Sequence, residues 1–367
     1  METKKILVIG LTERMGGVEI FIYNTTMHSD TTKYKYEYLV HGADECVFQN
    51  EIIDFYKDET CIHFIPKFKK HPIKTFIKLY QFYKKNSKKF SYIHLQTGAT
   101  SEVLYVFPFN LLFGIDVITH SHNGNGYSPI INTLFKPIVN FITKKRLSCS
   151  DEATKWLFGL NHLDDTVIIN NGIDTNRFSF NATSRNKVRN QYNISSDTLV
   201  VGHIGRFSEQ KNHERIIDIF NELLEEHSNS MLLLVGVGEK EKEIKEIVSE
   251  LGLSDYVIFA GRQMKTEEYY CAFDVFLMPS LYEGLPIVGI EAQSMGLPCF
   301  FSDNIDSKVV LTDRAQLISL DEPSKVWAQK ILALDDSMNR TSYNEVIDSK
   351  KFSIKSTVRE LEKIYEV

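Results

Sequence analysis

The sequence predicts an α/β protein of two domains, each built on a parallel sheet with helices on both faces. Three observations carry this. At 367 residues the chain is about twice the size of an ordinary single domain. Short apolar runs of strand length alternate with longer amphipathic stretches through both halves, and strict alternation implies a parallel sheet flanked by helices. No short-period repeat is present, so a solenoid is excluded.

In the first half, strands are read at residues 5–10, 37–40, 61–65, 92–95, 116–120 and 146–149, with amphipathic helices over 72–85 and 129–145. The second half gives clearer strands at 200–205, 231–235, 256–260, 275–279, 298–302 and 315–320. Its helices start after turn residues, at Lys211-Asn212-His213-Glu214 and at Gly284-Leu285-Pro286. The polar stretch after Gly172, running through residues 181–186, is read as the join. This gives domains 1–172 and 173–351, with a last helical pattern over 352–367 expected to pack back on the first domain. The most apolar stretch, 103–115, is too short to cross a bilayer and reads as a buried or interfacial helix.

Composition narrows the function. Hydrophobic content of 43% with 12% aromatics supports two packed cores rather than disorder. The five cysteines are dispersed with no C-x-x-C, which fits neither a disulfide framework nor a zinc site and suits a reducing cytosol. The N-terminus lacks the hydrophobic region of a signal peptide, so a cytoplasmic protein is expected. A net charge of −6 gives no sign of nucleic-acid binding. The charge is unevenly spread, since residues 60–101 hold nine of the 42 basic residues and none of the 48 acidic ones.

Candidate site residues cluster at predicted strand ends. In residues 279–292, a strand ends, Gly284 turns the chain, and Pro286 sits where a helix begins. The N–H groups of Gly284, Leu285 and Ile287 are then expected free at a positive helix end, suited to a phosphate or sugar oxygen. Glu283 and Glu291 are read as two helical turns apart, roughly 12 Å, facing one groove. Arg206 ends a strand and Lys211 opens the next helix, placing two cations where a diphosphate would be held. In the first domain Gly16-Gly17 follows the first strand without forming a G-x-G-x-x-G fingerprint, which argues against NAD. Gly236-Val237-Gly238 is read as a tight turn. His120 and His122 end another strand; no carboxylate or cysteine completes a metal site with them. The chain contains no Asp-x-Asp.

Together, G-G-V-E at 16–19, N-G-I-D at 171–174, G-R-F-x-x-x-K at 205–211 and E-G-L-P…E at 283–291 resemble retaining glycosyltransferases of family 4. The runs 120–123 (HSHN), 206–214 (RFSEQKNHE) and 291–299 (EAQSMGLPC) are similar to bacterial exopolysaccharide and capsule-assembly members. The resemblance implies a GT-B fold, two Rossmann-like domains facing a cleft, with the donor bound mainly to the second and the acceptor to the first. It implies transfer from a nucleotide diphosphate-sugar, a UDP-sugar, with retention and without metal or cofactor, to a lipid-linked or growing glycan. By the same resemblance, Arg206 and Lys211 hold the diphosphate, Glu283 the sugar and Glu291 the ribose. Gly16 and Gly17 close over the phosphates, and Arg262 contacts the base. The family histidine is His120 or His122, since the strand aligns either way. A sugar-nucleotide 2-epimerase and a non-catalytic glycan-binding relative are the alternatives. Finally, Lys67, Lys69, Lys70, Lys74 and Lys78 are expected to face an anionic membrane surface, making the protein peripherally associated with its inner face.

Overall fold

The computed structural model describes residues 3–366 except 43, 125–127, 335–339, 341 and 342. The chain divides into two compact units, residues 1–172 with 354–367, and residues 173–353.

The first unit runs β1 (Lys4–Ile9), α1 (Gly17–Met27), β2 (Tyr34–His41), α2 (Gln49–Tyr56), β3 (Ile62–Ile65), α3 (Pro72–Asn86), β4 (Tyr92–Thr97), α4 (Phe109–Phe113), β5 (Asp116–Ser121), α5 (Pro129–Ile142), β6 (Thr143–Ser148), α6 (Asp151–Leu157) and β7 (Thr166–Ile168). Its seven strands lie in the order β3-β2-β1-β4-β5-β6-β7, and every pairing is parallel. Right-handed crossovers then dictate which face each helix covers. Helices α3, α4 and α5 share one face, where Leu79, Phe82, Tyr83, Phe109, Val139 and Ile142 join one core. Helices α1 and α2 cover the other, with Phe21, Ile22 and Ile52 in a second core.

The second unit runs α7 (Ala182–Gln191), β8 (Leu199–Ile204), α8 (His213–Glu226), β9 (Ser230–Val235), α9 (Glu241–Glu250), β10 (Val257–Phe259), α10 (Thr266–Ala272), β11 (Val275–Met278), α11 (Ile287–Ser294), β12 (Cys299–Ser302), β13 (Ala315–Ile318), α12 (Ser324–Leu332) and α13 (Asn344–Ser349). Six parallel strands lie in the order β10-β9-β8-β11-β12-β13. Each unit is thus a Rossmann-like parallel sheet covered on both faces. The chain then returns to the first unit in α14 (Ile354–Glu366). That helix buries Val358, Leu361 and Tyr365, and the Tyr365 hydroxyl lies 2.6 Å from His94 Nδ1.

Several elements differ from the sequence reading. Residues 181–186 are not a linker: Asn181 caps α7, its side chain accepting from the Ser184 N–H, and α7 is polar because only Val188 and Arg189 are buried. The pattern at 129–145 ends at Ile142, because Thr143 pairs with Val117 and starts β6. Residues 103–115 split into a 3₁₀ turn (Thr100–Tyr105) and the short α4. On α3 the buried stripe is Thr75, Leu79, Phe82, Tyr83 and Asn86. Phe76 lies outside this stripe, turned outward against Phe109 with ring centroids 5.0 Å apart.

Candidate functional site

In the second unit, the register pairs Ile204 with Val235, so the loops after β8 and β9 emerge at one sheet edge. This is the carboxyl edge, where open α/β sheets take ligands. The two loops are stitched together: the Gly205 N–H donates to Val235 O, and the Phe207 N–H to Val237 O. Gly236 has φ +143°, and a Cβ there would sit 1.9 Å from Gly205 O. The glycine is therefore required by the close approach of two loops and not by the expected tight turn, since 236–238 run irregularly and the turn falls at Glu239-Lys240. Beneath the 205–212 loop, Phe207 stacks on His213 at 4.1 Å between ring centroids.

This loop meets the one after β11. The Leu281 N–H donates to Gln210 O at 2.9 Å, and the amides of Gln210 and Asn212 donate to Tyr282 O and Pro279 O. Between them, Lys211 Nζ lies 2.5 Å from Glu283 Oε1, with both side chains largely buried. The two residues read separately as phosphate and sugar contacts form a salt bridge with each other. Arg206 lies further out on the same edge, exposed and paired with Glu239 at 3.0 Å. Arg262 is exposed just after Gly261, whose carbonyl accepts from the Gly236 N–H.

The stretch from Glu283 to Glu291 is not one helix. Pro286 is the N-cap, with extended backbone, and α11 begins only at Ile287, so the two-turn separation does not apply. Glu283 instead makes an isolated parallel bridge with Ile305. Gly284 and Leu285 lead into this end of α11, where no side chain caps the helix and Ile287 supplies its first N–H. Glu291 lies one turn in. The Tyr270 hydroxyl donates to its Oε2 at 2.8 Å and also to Val288 O. Burial pushes the Glu291 carboxyl up to about 7. Tyr270 and Glu239 escaped the sequence reading, because nothing in their spacing marks them as partners of Glu291 and Arg206.

In the first unit, the ends of β1, β4 and β5 share an edge, with Ile9 paired to Leu95 and Thr97 to Ser121. A cavity of about 730 Å³ opens there, bounded by Thr12, Glu19, Gln96, Glu102, Asn123 and Trp156 among others. Glu19 Oε1 accepts from the Thr12 hydroxyl at 2.7 Å. Burial pushes the Glu102 carboxyl up to about 7. Gly16 is the extended N-cap of α1, and a Cβ on it would approach Glu19 Oε2 at 2.8 Å; Gly17 faces open space. Glu19 could have been singled out from G-G-V-E, but Glu102 sits in an apolar stretch that gives no signal.

His120 is fully buried among Phe21, His94 and His122, with neither ring nitrogen hydrogen-bonded. His122 is partly exposed at the strand end, its Nε2 3.0 Å from Gln96 Oε1, and it reaches the cavity through that amide. Burial holds the His120 ring far below the usual imidazole range and pushes His122 down to about 3, so both are neutral. Of the lysines, Lys69, Lys70, Lys74 and Lys78 are exposed, whereas Lys67 pairs with Glu13 at 3.3 Å.

A family profile described as "Glycosyl transferases group 1" matches residues 184–344. EpsF of Bacillus subtilis (strain 168), which bears a glycosyltransferase name, is 30% identical over 338 residues, covering 89% of this chain and 87% of that protein. The UDP-Gal:alpha-D-GlcNAc-diphosphoundecaprenol alpha-1,3-galactosyltransferase of Escherichia coli is 22% identical over 343 residues, 87% of each chain. Among solved structures, Anabaena HepE in complex with UDP and glucose is similar in fold, with TM-score 0.77 over 99% of both chains at 18% identity. A glycosyltransferase from Rickettsia africae superposes with TM-score 0.80 over 100% of this chain and 98% of that one, at 16% identity.

Proposed function

Because the chain belongs to the group 1 glycosyltransferases, we propose that it moves a sugar, with retention and without metal, from a UDP-sugar to a lipid-linked or growing glycan in surface polysaccharide assembly. The observation that carries the donor assignment is the Lys211–Glu283 pair, which locks two loops of one sheet edge together beside the start of α11. In this reading Arg206 and Lys211 face the diphosphate and offset the negative charge that grows on it as the sugar departs. Glu283, held by Lys211, accepts from the sugar hydroxyls; the N–H groups of Gly284, Leu285 and Ile287 serve the sugar and phosphate oxygens. Glu291 accepts from the ribose, and Arg262 lies near the base.

The acceptor is assigned to the first unit's cavity, where Glu19, Gln96, Asn123 and Trp156 supply the polar and aromatic surface that sugars bind. Of the two histidines, His122 is assigned the contact with substrate, since His120 is sealed in the core. A UDP-bound solved neighbour and a relative named for a diphosphoundecaprenol acceptor support these choices of donor and acceptor. No helix among the described residues is long and apolar enough to cross a membrane. A membrane-held acceptor is then reached by peripheral attachment, with Lys69, Lys70, Lys74 and Lys78 facing anionic lipid. Thermal-shift and hydrolysis screens across nucleotide sugars test the reading. UDP-sugars should stabilise the protein and release UDP slowly, whereas stabilisation by no nucleotide, or conversion of the donor to an epimer, would overturn it.

A further inference from the structure

The face of the first sheet that carries α3, α4 and α5 is unusual on its outer side. On α5, Ile130, Leu134 and Phe141 are 83%, 67% and 71% exposed. With Pro137 they fall at i, i+4, i+7 and i+11, one face of the helix, and that face carries no charge. Leu111 and Leu112 of α4 are 52% and 61% exposed, and Ile73 of α3 is 77% exposed. The elements are linked side by side: Phe76 of α3 packs its ring on Phe109 of α4, and Thr100, which opens the 3₁₀ turn leading to α4, donates to Asn132 O of α5. A solvated surface does not gather this many large apolar side chains without a partner.

The charges around the patch are of one sign. Between Pro66 and Lys145 the chain carries twelve lysines and only two acidic residues, Glu102 and Asp116. Glu102 lines the cavity, and Asp116 is paired with Lys144 at 2.5 Å. A second copy of the chain, docked about a two-fold axis, would set these lysines against themselves. An anionic bilayer meets them with opposite charge. At 14 residues α5 is too short to span a bilayer, but its uncharged face suits the boundary between headgroups and acyl chains.

We propose that α3, α4 and α5 form a bilayer-docking face whose apolar residues, led by Ile130, Leu134 and Phe141, enter the acyl boundary while the lysines grip anionic headgroups. This rests on the reading that the acceptor is held at a membrane, and it changes the mode of attachment from surface attraction to insertion. It also gives the acceptor a path: Ile131 is exposed on α5 and lines the cavity, so a lipid tail lying along α5 ends at the place assigned to the sugar.

The test uses phosphatidylglycerol and phosphatidylcholine vesicles with the full chain. Leu134→Trp should show a blue-shifted emission on phosphatidylglycerol vesicles, and part of the wild-type binding should survive molar salt. Replacing Ile130, Leu134 and Phe141 together by Ser should cut vesicle partition by about tenfold or more while leaving UDP affinity unchanged. Binding that is wholly released by salt, with no Trp shift, would overturn insertion and leave only electrostatic attachment. Absence of binding to either vesicle, or a dimer that the Ser substitutions dissolve, would overturn the bilayer as partner. The UDP titration keeps these outcomes separate from any failure of the donor assignment.

Discussion

The ammonium of Lys211 and the carboxylate of Glu283 lie 2.5 Å apart although 72 residues separate them in the chain, and both are mostly withdrawn from solvent. Removing one partner of such a pair strands the other charge. Lys211→Ala should therefore lower stability on the order of 3 kcal/mol in denaturant unfolding, besides abolishing transfer. The double variant Lys211→Ala with Glu283→Gln should recover much of that stability and none of the activity. If the double variant is no more stable than Lys211→Ala, the pair is not the element that holds the two loops.

Arg206 makes the opposite prediction. Its bond to Glu239 is exposed, and solvent screening leaves such pairs little weight in stability. Arg206→Ala should leave the melting temperature nearly unchanged while reducing turnover by about 10²–10³, the usual effect of losing one donor to a developing anion. Retention of near wild-type turnover would remove Arg206 from the diphosphate site.

Glu291 should make nucleotide binding depend on pH. Burial raises its carboxyl to about 7, so it is largely protonated below that pH and ionised above it. Ribose hydroxyls donate more strongly to the carboxylate, so UDP affinity should rise as pH passes upward through about 7. The same raised value means that this group's contribution to stability falls as pH rises from its unfolded value toward about 7. Calorimetric titrations of UDP across this range should become flat in Glu291→Gln; an unchanged pH profile in that variant would assign the effect elsewhere.

The backbone at the site is equally testable. A methyl group at Gly236 would meet Gly205 O at 1.9 Å from a φ of +143°. Gly236→Ala should destabilise by about 2 kcal/mol or more and weaken UDP binding through displacement of the 205–212 loop. Gly284→Ala, where a Cβ meets nothing within 4 Å, should be far milder in stability.

Metal independence is proposed from the lack of Asp-x-Asp and the placement of Arg206 and Lys211 at the sheet edge. Transfer should persist in excess EDTA. Loss of turnover that magnesium or manganese restores would require a metal-bound diphosphate instead.

Much of the fold was legible because apolar runs such as 5–10 and 231–235 are strands buried on both faces, and their alternation with helices has few solutions. The edge strand β7 carries no strand signal in the sequence, being three residues with Val167 and Ile168 exposed. Helix α7 looks like a join in the sequence because a surface helix with two buried residues has almost no periodic signal. At the site, residue types were legible but their pairings were not. Glu291 and Tyr270 are 21 residues apart and Arg206 and Glu239 are 33 apart, distances that only the sheet order closes. Helical rise cannot be counted from Glu283 to Glu291, because residues 283–286 precede α11, which begins only at Ile287.

The return of α14 to the first unit has a consequence for biogenesis. Residues 173–353 are an insertion into the first unit, so a ribosome completes the second unit before it delivers the helix that closes the first. The core that takes Leu361 and Tyr365 stays open while the insertion is made, roughly 10–40 seconds at typical elongation rates. The half that begins first is thus finished last. Until then the β1–β2–β4 surface that α14 will cover is exposed to nascent-chain chaperones, and premature termination within α14 would leave an intact second unit attached to an unfinished first.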